Sequence, residues 1–155
     1  DKPSPVYLYK EGDECISLTG GWADGYVYNS GTSLTKGNDY IETRVTVSTS
    51  RREVRTTNPI NFTDYSNLYF EGEFASRNDQ YFSQFVLISD GTNYSTNWGG
   101  GSNTDSILRD IRRLNGRVTY SIDISSITGS HRLFWGTDAG TPLPNYSKIY
   151  KIWLE

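Results

Sequence analysis

Arg117-Val118-Thr119-Tyr120-Ser121-Ile122-Asp123-Ile124 alternates without a fault, apolar at even positions and polar at odd ones. A repeat of two residues is that of a β-strand with one face packed and the other in water. Leu68-Tyr69-Phe70-Glu71-Gly72-Glu73-Phe74 repeats the pattern, with Leu68, Phe70 and Phe74 on one face and Tyr69, Glu71 and Glu73 on the other. Its predicted partner is Tyr81 to Ile88, joined through the polar turn Ser76-Arg77-Asn78-Asp79. Within that partner, Phe82 to Ile88 becomes apolar on both faces, as expected for a central strand of a sandwich. The closing Ile149-Tyr150-Lys151-Ile152-Trp153-Leu154 also alternates, and its expected neighbour is Val6 to Lys10, which would bring the ends together.

Between these segments the chain is punctuated by turn residues: Glu11-Gly12-Asp13, Gly20-Gly21, Asn29-Ser30-Gly31, Lys36-Gly37-Asn38, Asp90-Gly91, Asn115-Gly116 and Asp138-Ala139-Gly140. Short runs rich in Thr, Tyr, Val and Ile between such signals describe an all-β domain. Asp105 to Leu114 alone admits two readings. Ile107, Leu108, Ile111 and Leu114 fall at helical spacing, yet a short strand fits equally well. No repeat and no linker divides the 155 residues, which are expected to form one module, 1–155, cut from a larger protein. The absence of Met and of an apolar leader adds to that expectation.

Aromatic residues make up 14% of the chain, so large rings can build a core that the modest 35% hydrophobic content would not supply alone. A net charge of -3 opposes a broad nucleic-acid interface, and Asp105, Asp110 and Asp123 are interspersed among Arg109, Arg112, Arg113 and Arg117. The apolar runs are far shorter than the ~20 residues that cross a bilayer, so no membrane insertion is expected. Cys15 has no disulfide partner and is expected in the core. His131 sits in a turn with no Gly-x-Ser-x-Gly elbow elsewhere, and Glu71 with Glu73 reads as an exposed strand face rather than a catalytic pair, so no enzyme is expected. Asp13, Glu14, Asp24, Asp39 and Asp138 leave room for a structural calcium ion, although without the dense spacing of a recognisable loop.

Two aromatic clusters in polar surroundings remain. One is Trp22, Tyr26 and Tyr28 with Asp24, where even spacing puts the three rings on one strand face; the other is Asn93, Tyr94, Asn97 and Trp98 beside a glycine-rich loop. Sugar rings present flat C–H faces to Trp and Tyr while their hydroxyls bond Asn, Asp and Arg, so these residues are the candidate ligand contacts. Trp22 has core burial as its competing role, and Trp135 and Trp153 are expected in the core.

Two phrases, Ile60 to Glu71 and Thr119 to Ser130, together with the opening Leu8 to Cys15, Thr19-Gly20-Gly21-Trp22 and the closing Lys148 to Glu155, resemble jelly-roll carbohydrate-binding modules and related modules in tail proteins of phages from Firmicutes. The resemblance implies an antiparallel two-sheet β-sandwich, extracellular, on a cell surface or on a virion. It implies a glycan or polysaccharide ligand without catalysis. The alternative is a structural or receptor-contacting tail module whose partners are other domains or subunits of the parent protein.

Overall fold

The predicted turns among the described residues, such as Glu11-Gly12-Asp13 and Asn29-Ser30-Gly31, break the chain where the sequence places them, and the runs between them become strands. The structure, a computed structural model, describes residues 4–75, 84–89, 109–111, 116–138 and 143–155. Two antiparallel sheets result. The first contains β3 (Thr32–Lys36), β4 (Ile41–Val45), β12 (Asn145–Leu154), β7 (Asn67–Phe74) and β10 (Arg117–Asp123) in that spatial order, with β1 (Val6–Lys10) also pairing β12. The second runs β2 (Trp22–Tyr28), β5 (Arg51–Thr56), β11 (Ser130–Asp138), β8 (Gln84–Ser89) and β9 (Arg109–Ile111), with β6 (Ile60–Asn61) on the start of β11. One helical turn, α1 (Ile16–Thr19), joins β1 to β2.

The alternating strands behave as their pattern dictates. β7 reads half-buried, buried in strict succession, and its inward Leu68, Phe70 and Phe74 meet Ile122 of β10 and Ile149, Ile152 and Leu154 of β12. The second sheet contributes Trp22, Val54, Leu133 and Trp135 to the same core, and Phe62, Ile124 and Ile127 close it from the connections. Where the sheets face each other near the ends of β11 and β12, the core is polar. Thr137 shares hydroxyl bonds of 2.8 Å with both Thr43 and Ser147, all fully buried, so the sheets are fixed in register by directional bonds as well as by packing.

The expected neighbour of the closing strand is confirmed, since Val6 lies opposite Leu154 and Lys10 opposite Lys151. Other expectations are corrected. β7 does not form a hairpin with the segment ending at Ile88; it pairs β10 and β12, while β8 crosses to the other sheet between β11 and β9. Local alternation cannot report that crossing, because a hairpin and a crossover bury the same residues. In the ambiguous segment, Arg109–Ile111 is a strand, and the rest of 105–114 lies outside the described residues. Cys15 is only partly buried at the start of α1, where burial and Asp13 push its thiol up to about 11. Trp135 is in the core as expected, but Trp153 stands on the outer face of the first sheet, stacked on Tyr69 at 5.1 Å between ring centres.

Candidate functional site

β5 carries the chemistry of the second sheet. Its residues alternate Arg51, Arg52, Glu53, Val54, Arg55, Thr56, and the register decides which of them face the core. Val54 lies opposite Trp135 and faces inward, so Arg51, Glu53 and Arg55 face outward, opposite Asp138, Gly136 and Phe134 of β11. Three charged side chains thus stand in a row on the outer face.

The row is tightly enclosed. Glu53 is 0% exposed, 3.8 Å from the Arg51 guanidinium, and accepts a 3.4 Å bond from the Tyr26 N–H on Oε1, while its Oε2 has no hydrogen-bond donor. Burial outweighs the pull of Arg51 and raises its pKa to about 8. Arg51 is bonded to Asp138 at 3.3 Å, which leaves Glu53 with the weaker share of that cation. Burial, with the nearby charge of Arg132, lowers the pKa of Arg55, whose Nη1 donates to Thr56 O at 3.2 Å.

β2 lies beside this row, and a bulge in it settles the fate of the first aromatic cluster. Trp22 pairs with Thr56 and Asp24 with Val54, but the register then shifts, so that Val27 meets Arg52 and Tyr28 meets Arg51. The extra residue reverses the alternation. Trp22 is therefore 2% exposed in the core, with its indole N–H donating to Leu8 O at 3.0 Å, and a ring so enclosed stacks on no ligand. This corrects the single-face reading of Trp22, Tyr26 and Tyr28. Tyr28, 48% exposed, and the half-buried Tyr26 instead share the outer face with the charged row, their rings within 16° of parallel and 6.2 Å apart. Gly25 keeps the bulge close to the sheet, because a Cβ there would sit 2.9 Å from Glu53 Cβ.

Asn93, Tyr94, Asn97 and Trp98 lie outside the described residues. In chain order they connect β8 to β9, the strands at the far side of this same sheet from β2. Sequence reasoning missed the charged row. Only the register distinguishes the outward Arg51, Glu53 and Arg55 from Arg52.

Four of the acidic residues named for calcium, Asp13, Glu14, Asp24 and Asp138, have other partners. Asp13 Oδ1 accepts the Cys15 N–H at 2.8 Å, Glu14 Oε1 accepts the Trp22 N–H and Lys36 Nζ, and Asp24 pairs with Arg52 at 2.7 Å. Among the described residues no three His, Cys, Asp or Glu side chains gather as a metal site. His131 belongs to β11, paired with Ile60 of β6, and not to the preceding turn as expected; its Nε2 is 2.6 Å from Thr128 O.

The outer face of the first sheet is built differently. Arg117 lies over Tyr150 at 3.7 Å and bonds Glu71 at 2.7 Å, Tyr150 donates to Glu73 at 2.8 Å, and Lys148 and Arg44 cover Tyr40 and Tyr146. Its rings and charges satisfy one another.

No family model matches the sequence, and no curated relative does either. Solved structures share the fold. CBM86, a low-affinity xylan-binding module from Roseburia intestinalis, superposes with a TM-score of 0.59 at 9% identity over 99% of this chain and 96% of its own. A variant of the family 29 module CBM29-2, complexed with cellulohexaose, gives 0.58 at 10% identity over 97% and 89%. The glycoside hydrolase domain of Endo-D from Streptococcus pneumoniae R6 gives 0.59 at 10% identity, covering 87% of this chain but 22% of that one. The chain is thus an all-β sandwich with the architecture of carbohydrate-binding modules; the phage-tail likeness finds no support in these neighbours.

Proposed function

We propose that this chain is a non-catalytic carbohydrate-binding module whose ligand lies against the β2 side of the outer face of the β2–β5–β11–β8–β9 sheet. The observation that carries the reading is the near-parallel Tyr26–Tyr28 pair on the same face as the Arg51–Glu53–Arg55 row. Rings supply C–H stacking and the guanidinium of Arg55 supplies hydroxyl contacts, the combination that pyranose chains need. Tyr94 and Trp98, which fall between β8 and β9 in chain order, are proposed as further ligand contacts. Xylan and cello-oligosaccharides are the first ligands to try, because fold neighbours take them. Catalysis is disfavoured by access: Glu53 has the raised pKa of a general acid but is sealed from any substrate, and Glu71 is held by Arg117 and Lys151.

A glycan array followed by calorimetry tests the reading, with Tyr28→Ala and the double variant Tyr94→Ala/Trp98→Ala beside the parent chain. Expected is binding that both variants weaken about tenfold or more, the loss of roughly 1.4 kcal/mol of stacking. A chain that binds no glycan, or binds one equally well after Tyr28→Ala, removes this face as the site.

A further inference from the structure

β10 ends the first sheet, and among the described residues no strand pairs with its outer side. Which of its backbone groups face outward follows from bonds at one end of β7. Ile124 donates to Ser66 O at 2.9 Å, while Asn67 and Glu155 exchange bonds of 2.9 and 3.0 Å. Even residues of β7 there turn toward β10, so Val118, Tyr120 and Ile122, opposite Gly72, Phe70 and Leu68, spend their peptide groups on β7. The N–H and C=O groups of Arg117, Thr119, Ser121 and Asp123 point away from the sheet.

Open edges are normally blunted by bulges, proline or brevity. β2 has a bulge and β9 spans 3 residues, but β10 runs 7 residues in unbroken register and contains no proline. We propose that this edge pairs antiparallel with the same edge of a second copy, about a two-fold axis at Tyr120. Arg117 then lies opposite the partner's Asp123, Thr119 opposite the partner's Ser121, and Val118 opposite the partner's Ile122. Opposite charges and hydroxyls meet on the outer face, and apolar side chains meet on the inner one. Every outward peptide group of the strand is bonded. Moving the axis to Thr119 or to Ser121 leaves Asp123 or Arg117 with no residue of the strand opposite it. At the seam, Ser125 donates both of its bonds to Oδ1 of Asp123, which keeps Oδ2 for the partner, while the Arg117 side chain, 40% exposed, lies against Glu71 and Tyr150 and turns from them to meet the partner's Asp123.

Antiparallel pairing keeps outward side chains on the same side in both copies. The second sheets of the two copies therefore lie on one side of the joined sheet, and their outer faces look the same way. On the glycan reading, two sites facing one surface would bind it with avidity that neither has alone. The pairing itself rests on the edge geometry and stands or falls separately from the glycan reading.

Light scattering across a concentration series, with residue-resolved hydrogen exchange on the same samples, tests the pairing without any glycan. The expected result is a rise from one to two chains per particle. With it, the amides of Arg117, Thr119, Ser121 and Asp123 gain protection, while Val118, Tyr120 and Ile122 are protected at every concentration. Ser121→Pro deletes an outward N–H and should hold the chain at one copy. Asp123→Lys, which sets two cations opposite each other, should do the same should the proline variant fail to fold. A particle of one chain at all concentrations, or a dimer that survives Asp123→Lys with the four outward amides still exchanging freely, overturns the proposal.

Discussion

Replacing Glu53 with Gln tests whether the outward row of β5 is as dry as its geometry implies. Glu53 is fully buried, and burial lifts its pKa from 4.5 to about 8 even with Arg51 at 3.8 Å. A folded-state value above the unfolded one means that the folded chain binds the extra proton between them. Stability from this group is then fully present below about 4.5 and is lost as pH rises through about 8. The slope in that window is about 1.4 kcal/mol per pH unit, and the whole span is worth on the order of 5 kcal/mol. Gln keeps the size and the neutral charge that the folded state prefers, so the variant should match the parent near the acid end and exceed its stability by several kcal/mol near pH ~8. Urea unfolding followed by Trp fluorescence, run on both proteins from about pH 5 to about pH 8, isolates the effect, because every other titrating group enters both curves alike. Parallel curves, or a variant less stable throughout, would refute the assignment of a neutral, buried Glu53.

Three further perturbations probe the frame beneath the site. Thr137→Val removes the hydroxyl shared by Thr43 and Ser147 in the sealed seam between the sheets and should cost about 1–3 kcal/mol in urea unfolding. Phe70→Ala, deep in the core on β7, should cost about 3–5 kcal/mol by the same measurement. Gly72→Ala drives a Cβ to 2.5 Å from Lys148 O and 2.8 Å from Ile149 Cδ1 of β12. It should lower the thermal midpoint more than alanine at the open Gly116, where no atom lies within 4 Å, although the positive φ of Gly116 adds its own strain.

What the sequence disclosed and what it withheld divide along a physical line. The alternation in β10 and β7 depends only on neighbours two residues away, so it is written locally and reads correctly. The adjacency of β1 and β12 was legible because both ends of the chain carry strand patterns. The crossing of β8 into the second sheet was not, because no local feature separates it from a hairpin. Trp22 shows the sharpest failure: its parity with Tyr28 counts correctly along the chain, and one bulged residue between Asp24 and Val27 reverses it. Gly25 was the available signal, since glycine inside a strand often marks a bulge.

The two outer faces of the sandwich carry similar residues and differ in how the charges are settled. On the first sheet, Arg117, Lys148 and Arg44 each cover a tyrosine ring, and Glu71 and Glu73 accept from Arg117 and Tyr150, so a sugar arriving there would have to displace bonds already made. On the second, Tyr28 offers an exposed ring that among the described residues stacks on Tyr26, and the guanidinium of Arg55 donates through Nη1 to the backbone carbonyl of Thr56. Displacing water from such groups costs less than breaking a protein contact, because the sugar hydroxyls replace the water's bonds and the ring gains apolar contact besides. The same comparison explains why the sealed Glu53 belongs in the row. A neutral carboxyl between Arg51 and the bulge fills the floor without presenting a charge that would hold Arg51 away from Asp138.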